Sequence, residues 1–194
     1  MKLYSVTLFL IAVFLFIPAT LTADQGLSDF SQHSHTQIKT LASALKQTLV
    51  ASMQQGGPAA AVKTCNIQAA AITAGINLDT ELQIKRTSLK YRNPNNQPDA
   101  WEREVLQHFA QQAANGVPLK QLVYQEQTVK DGQPVYRLMR AIPVGTACLT
   151  CHGGDSDIPP SVSTHLQQLY PQDRATGYKL GDIRGAFSVW QNIK

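Results

Sequence analysis

The pentapeptide Cys148-Leu149-Thr150-Cys151-His152 constrains this chain more than any other stretch. Two cysteines separated by two residues, with a histidine directly after the second, form the attachment signature of a c-type haem. The two thiols add across haem vinyl groups as thioethers, and the adjacent imidazole is carried onto the iron as its proximal ligand. A zinc site would need a second ligand pair at similar spacing, and the sequence has none. A thioredoxin-like redox pair does not require the histidine, and no βαβ pattern surrounds these cysteines. Only three cysteines occur in the whole chain, so chance assembly of the pentapeptide is remote.

A haem attached in this way is ligated outside the cytoplasm in bacteria, and the start of the chain agrees. Residues 1–23 read as a secretory signal: Lys2 supplies a positive start, Val6 to Ile17 are mostly apolar, Pro18 breaks the run, and Leu21-Thr22-Ala23 ends on a small residue suited to cleavage. The run is short for a bilayer span, which takes about 20 apolar residues. Leu3 to Ala23 carries no charge, so an uncleaved anchor is the alternative. Either way the expectation is an exported, periplasmic protein, with residues 24–194 forming one domain. Losing the leader removes Lys2 alone, which leaves 16 basic against 13 acidic side chains, or +3. That charge is too mild to argue for nucleic acid or an anionic membrane surface as partner.

Asp24 to Gln37 is polar and reads as a loose lead-in, where His33 and His35 are solvated rather than ligands. From Ile38 the apolar residues take helical spacing through Leu41, Leu45, Leu49 and Met53. Gly56-Gly57-Pro58 ends this helix and starts another, which runs from Pro58 to a stop at Gly75. Its stripe holds Val62, Cys65, Ala69 and Ile72. Cys65 therefore faces inward, among the small residues Ala61, Ala69 and Ala70. Leu82 to Thr87 alternates as a strand, and Arg92 to Pro98 is a loop by composition. Asp99 and Glu102 make a capping box for a helix with Trp101, Val105, Phe109 and Ala113 on one stripe. Leu122 to Val129 and Pro134 to Ile142 form a hairpin through Asp131-Gly132. The haem motif follows on a tight turn between Gly145 and Gly153, then a short helix from Ser161 to Leu169 and a last strand from Ile183 to Ile193. No methionine follows residue 152, which disfavours the small electron-carrying cytochromes c, and the hairpin and last strand disfavour a four-helix bundle. An α+β fold, with an antiparallel sheet and flanking helices, fits better.

Outside the motif, Cys65 is the only cysteine, and an odd thiol in an oxidising compartment points to a reactive or protected group. As second iron ligand it competes on the sequence with Met53, Met139, His108 and His165. Lys85, Arg86, Arg92, Arg137, Arg140 and Arg184 are six candidates for neutralising haem propionates.

The run Lys85-Arg86-Thr87-Ser88-Leu89-Lys90-Tyr91-Arg92-Asn93-Pro94, continuing to Pro98-Asp99-Ala100-Trp101-Glu102, resembles the signature of a known family. Gly177-Tyr178 and Gly181-Asp182-Ile183-Arg184-Gly185-Ala186 resemble a second signature. The family is that of PAS-like c-type haem domains, long labelled a domain of unknown function, with a member first met in work on photosystem II of cyanobacteria. The resemblance spans roughly Cys65 to Val189. It implies a PAS-like antiparallel sheet with two long N-terminal helices, and His152 and Cys65 as the two axial ligands of one haem c. After the ligand cysteine the family pattern often ends in Ala-Pro, where this chain has Ala69-Ala70.

The expected function is a haem-based redox or gas sensor-type module responding to nitric oxide or carbon monoxide, because PAS-like folds outside the cytoplasm commonly serve signal input. The alternative is a low-potential electron-transfer cytochrome, since a thiolate ligand lowers the potential relative to methionine. An enzyme such as a peroxidase needs an open distal site and a general base, and the sequence identifies neither. The partner expected is a redox or signalling protein, or the diatomic gas itself.

Overall fold

The computed structural model describes residues 20–193, so the apolar run of the leader lies outside the described residues. The chain begins in a 59-residue helical stretch, α1, over Thr20–Leu78. The expected loose segment before Ile38 is helical. Phe30, Ser34, Ile38 and Leu41 recur every three or four residues and are all buried, so the stripe simply extends N-terminally with a serine in it. Polar composition hid a helical period.

At Gly57 the backbone takes φ 71° and ψ −172°, a left-handed value that suits glycine, and Pro58 restarts the helix. The two segments fold back on each other. Ser52 Oγ and Thr64 Oγ1 lie 2.7 Å apart although they are twelve residues apart in sequence, which a straight helix would separate by about 18 Å. Farther along the same pair, Gln37 Nε2 donates to Thr80 Oγ1 at 2.8 Å. The expected pair of helices is thus an antiparallel hairpin. Its second arm does not stop at Gly75 but runs on to Leu78.

Four strands follow: β1 over Gln83–Thr87, β2 over Val123–Lys130, β3 over Gln133–Pro143 and β4 over Ile183–Asn192. They form one antiparallel sheet in the order β1-β4-β3-β2. The β2–β3 turn is tight because Asp131 (φ 52°) and Gly132 (φ 78°) both take left-handed angles. Alternation along the strands splits the core between two faces. On one face Ile84, Leu138 and Val189 pack under Phe30, Ile38 and Leu41 of α1. On the other, Met139, Ala141 and Ala186 pack under Val105, Leu106 and Phe109 of α2, which spans Ala100–Ala114. Burying each of the larger of these side chains contributes about 1.5–3 kcal/mol. Both halves of the Asp99–Glu102 capping box are formed at the start of α2.

The pairing of Thr87 with Ala186 and of Pro143 with Ile183 places the last residues of β1 and β3 and the first of β4 at one end of the sheet. A register shift between Ile142 and Pro143 bends β3 there. The pentapeptide leaves from this end. No helix among the described residues is long and apolar enough to cross a membrane.

Candidate functional site

The motif is not an open turn. Thr146–His152 form a two-turn helix, α3, with glycines at both ends. The C-terminal one is sterically required: a Cβ on Gly153 would lie 2.5 Å from Asp157 Cβ and 2.7 Å from Leu149 O. The three-residue step sets Cys148 and Cys151 about one turn apart on this helix, both half-buried and both free thiols.

A loop over 173–178 straps His152 in place. Its backbone binds the motif twice, Gly177 N to Gly153 O at 2.7 Å and Tyr178 N to His152 O at 2.9 Å. Between these points and Asp173, Ala175 O lies 2.7 Å from His152 Nδ1. A carbonyl only accepts, so Nδ1 carries the proton and the lone pair is left on Nε2. Arg184 Nε approaches that lone pair at 3.4 Å. Burial and the nearby Arg184 and Arg92 guanidinium groups hold the imidazole pKa well below its ordinary value. His152 is therefore a neutral donor with a fixed tautomer.

The second arm of α1 brings Cys65 to the same place. Val62, one turn earlier, packs with Val162 and Leu166 of α4, the helix over Pro160–Leu169, in a cluster that Cys151 and Tyr170 also join. Asn66 Nδ2 donates to Leu169 O at 3.4 Å. Burial raises the Cys65 pKa, opposed by Arg86 and Arg92. Burial likewise raises that of Cys151, where Arg92 opposes it and Cys65 adds to it. The two thiols are thus electrostatic neighbours that share Arg92. With Ala69-Ala70 in place of a proline, the helix continues unbroken past Cys65 to Leu78.

Two of the rival second ligands, Met139 and His108, lie elsewhere. Met139 is fully buried under α2, on the far face of the sheet. His108 is exposed and meets Tyr124 edge-on. His165 Nδ1 binds Ser161 O of its own helix, and Met53 lies before the Gly57 kink. The six candidate cations separate as well. Lys85 pairs with Glu102 at 3.1 Å, and Arg137 pairs with Asp99 at 2.7 Å, both beneath α2. Arg140 lines a groove beside His35 and Lys39 of α1. Arg86, Arg92 and Arg184 remain, and all three act on the His152 imidazole.

Asp173 and Ala175 carry the strap that holds His152, and sequence reasoning missed both. Ala175 acts through its backbone, and Asp173 is a single acid in a loop, so only the neighbouring Gly177-Tyr178 signature pointed there.

Among the described residues no three His, Cys, Asp or Glu side chains converge on a single metal ion. The donor set instead fits haem c: two accessible thiols one helical turn apart and a neutral imidazole with its lone pair free of the backbone.

The model of the Tll0287-like family matches residues 22–192. The chain belongs to the Tll0287-like family. The match takes in nearly all of the described residues, including both arms of the α1 hairpin. The crystal structure of the cyanobacterial heme-protein Tll0287 is similar, with a TM-score of 0.57 at 24% sequence identity, covering 81% of this chain and 93% of that one. At that identity the likeness shows the α+β fold shared by this Tll0287-like chain. No curated protein matches it.

Proposed function

We propose that this Tll0287-like chain is an exported c-type haem protein carrying one haem on Cys148 and Cys151, with His152 and Cys65 as axial ligands. Its role is that of a redox or gas sensor-type module in the periplasm, reached through the signal at residues 1–23. The observation that carries the reading is the Ala175 carbonyl on His152 Nδ1, which leaves a neutral Nε2 beside two thiols of the attachment motif. A histidine ligand is prepared in this way when its other ring nitrogen is held by a carbonyl. The printed name of the similar solved protein, a heme-protein, supports the same reading.

Bound there, haem would supply a one-electron redox couple and, on release of Cys65, a site for a diatomic gas. The chain supplies the rest. Cys148 and Cys151 attach, His152 ligates with a fixed tautomer, and Arg86 and Arg184 add positive charge near the ligands. Cys65 ligates as thiolate, for which Arg86 and Arg92 are favourable neighbours. A thiolate is bound less firmly by a less positive metal, so the reduced protein should open a position that a methionine ligand would keep closed.

The test is electron paramagnetic resonance and near-infrared magnetic circular dichroism of the oxidised protein, with Cys65→Ser alongside, followed by carbon monoxide addition to the reduced form. Low-spin thiolate signatures that vanish in Cys65→Ser, and carbon monoxide binding by the reduced wild type, are expected. Spectra unchanged by the substitution would return Cys65 to the core. A reduced form that takes up no gas would favour the electron-transfer cytochrome.

A further inference from the structure

Arg92 reads in the sequence as a candidate partner for haem carboxylates, and its guanidinium meets three residues around His152. Its Nε donates to Asp173 Oδ2 at 2.9 Å. Its Nη2 donates to Cys151 O at 2.5 Å and reaches Ala175 O at 3.4 Å. Asp173 uses its other oxygen to accept the Ala175 N–H at 2.7 Å. The side chains of this ion pair are only 12% and 10% exposed. Arg92 and Asp173 thus grip both sides of the residue whose carbonyl receives the His152 Nδ1 proton.

We propose that Arg92 is a positioning residue for His152, holding the Ala175 carbonyl on Nδ1 and so setting how strongly the ring donates through Nε2. The physical reason is alignment of one acceptor. A carbonyl held on Nδ1–H draws that proton and gives the ring imidazolate character, which makes Nε2 a stronger donor. Without the Arg92 fork the carbonyl is held less firmly and that pull weakens. A weaker donor favours the oxidised metal less, so loss of the Arg92 contact should raise the reduction potential. Arg92 also holds Cys151 O, so the attachment helix and the strap shift together or not at all. The effect on potential rests on the haem reading above. The effect on the Nδ1 hydrogen bond does not.

Arg92→Lys separates this role from simple charge, since lysine keeps the cation but cannot serve Asp173, Cys151 and Ala175 from one fork. Two readouts are needed. In haem-loaded protein, Arg92→Lys should raise the reduction potential and change the paramagnetic g-values. In the haem-free chain, the Nδ1 proton of His152, followed by nitrogen-15 nuclear magnetic resonance, should exchange with solvent several-fold to about tenfold faster, the factor expected for one net hydrogen bond. Asp173→Asn, which keeps the side-chain shape, should speed that exchange too and serves if Arg92→Lys does not fold. Wild-type potential and g-values in a folded but less stable Arg92→Lys would make Arg92 a structural staple and overturn the proposal. So would wild-type proton exchange in both variants. A wild type that carries no haem refutes the function proposed above, while the exchange measurement still decides the role of Arg92.

Discussion

His152 and the two motif cysteines divide their work, and single substitutions should separate it. On the proposed reading the thioethers form at Cys148 and Cys151, so His152→Ala should keep the haem attached through denaturation while changing its visible spectrum. Cys148→Ala or Cys151→Ala should weaken attachment. A haem lost completely from His152→Ala on denaturing gels, with the wild type retaining it, would contradict that division. The motif was legible in the sequence because the covalent chemistry proposed for it needs those residues in that order. The residues that prepare His152 were not. Ala175 contributes a carbonyl, which any residue carries, and Asp173 acts only after the loop has brought it to Arg92. Likewise the six cations were indistinguishable until the sheet put Lys85 and Arg137 on the α2 face, beside the carboxylates of Glu102 and Asp99.

Two elements brace the sheet that carries the site. The first is the start of α2, where Asp99 caps the helix and pairs with Arg137, itself 3% exposed and next closest to Glu102 at 3.6 Å. Asp99→Ala removes the cap, worth about 1 kcal/mol, and thins the pairing of a buried cation, for a total loss of about 1–3 kcal/mol by denaturant unfolding. The same pairing carries a pH dependence. Burial pushes the Asp99 pKa up, but the Glu102 N–H and the Arg137 guanidinium outweigh it and the net shift is downward. A folded pKa below the unfolded one stabilises fully above the ordinary carboxylate range and is lost as pH falls through the lowered value. Asp99→Asn should therefore flatten the acid limb of the stability curve, and an unchanged limb would count against the pairing. The second element is the start of β4. Gly185 has φ 154°, and a Cβ there would lie 2.3 Å from Thr87 O and 3.0 Å from Ser88 Cβ. Gly185→Ala should destabilise by about 2–4 kcal/mol, from strain and overpacking at the β1–β4 contact. Most elements were legible from periodicity and turn chemistry, down to the hairpin turn at Asp131-Gly132. The segment before Ile38 was not, because Ser34 and Gln37 occupy buried stripe positions that composition reads as surface.

Among the described residues an α-helical hairpin packs on one face of a four-stranded sheet, and the motif helix and its strap close one end of that sheet. Its antiparallel, α+β character followed from the order of the sequence elements, and the folding back of α1 from Gly56-Gly57-Pro58. What no local pattern carried was the convergence of residues 65, 86, 92, 152 and 184, which comes from long-range pairing alone. Export is the cellular side of the same account: N-terminal sequencing of the periplasmic protein should begin near Asp24, and recovery only of full-length chain in membranes would favour the anchored alternative. The central claim, a covalent haem on the pentapeptide, is tested most directly by intact mass spectrometry under denaturing conditions, after expression with a working c-type maturation system. The account predicts the mass of the processed chain plus one haem, and a bare polypeptide would contradict it.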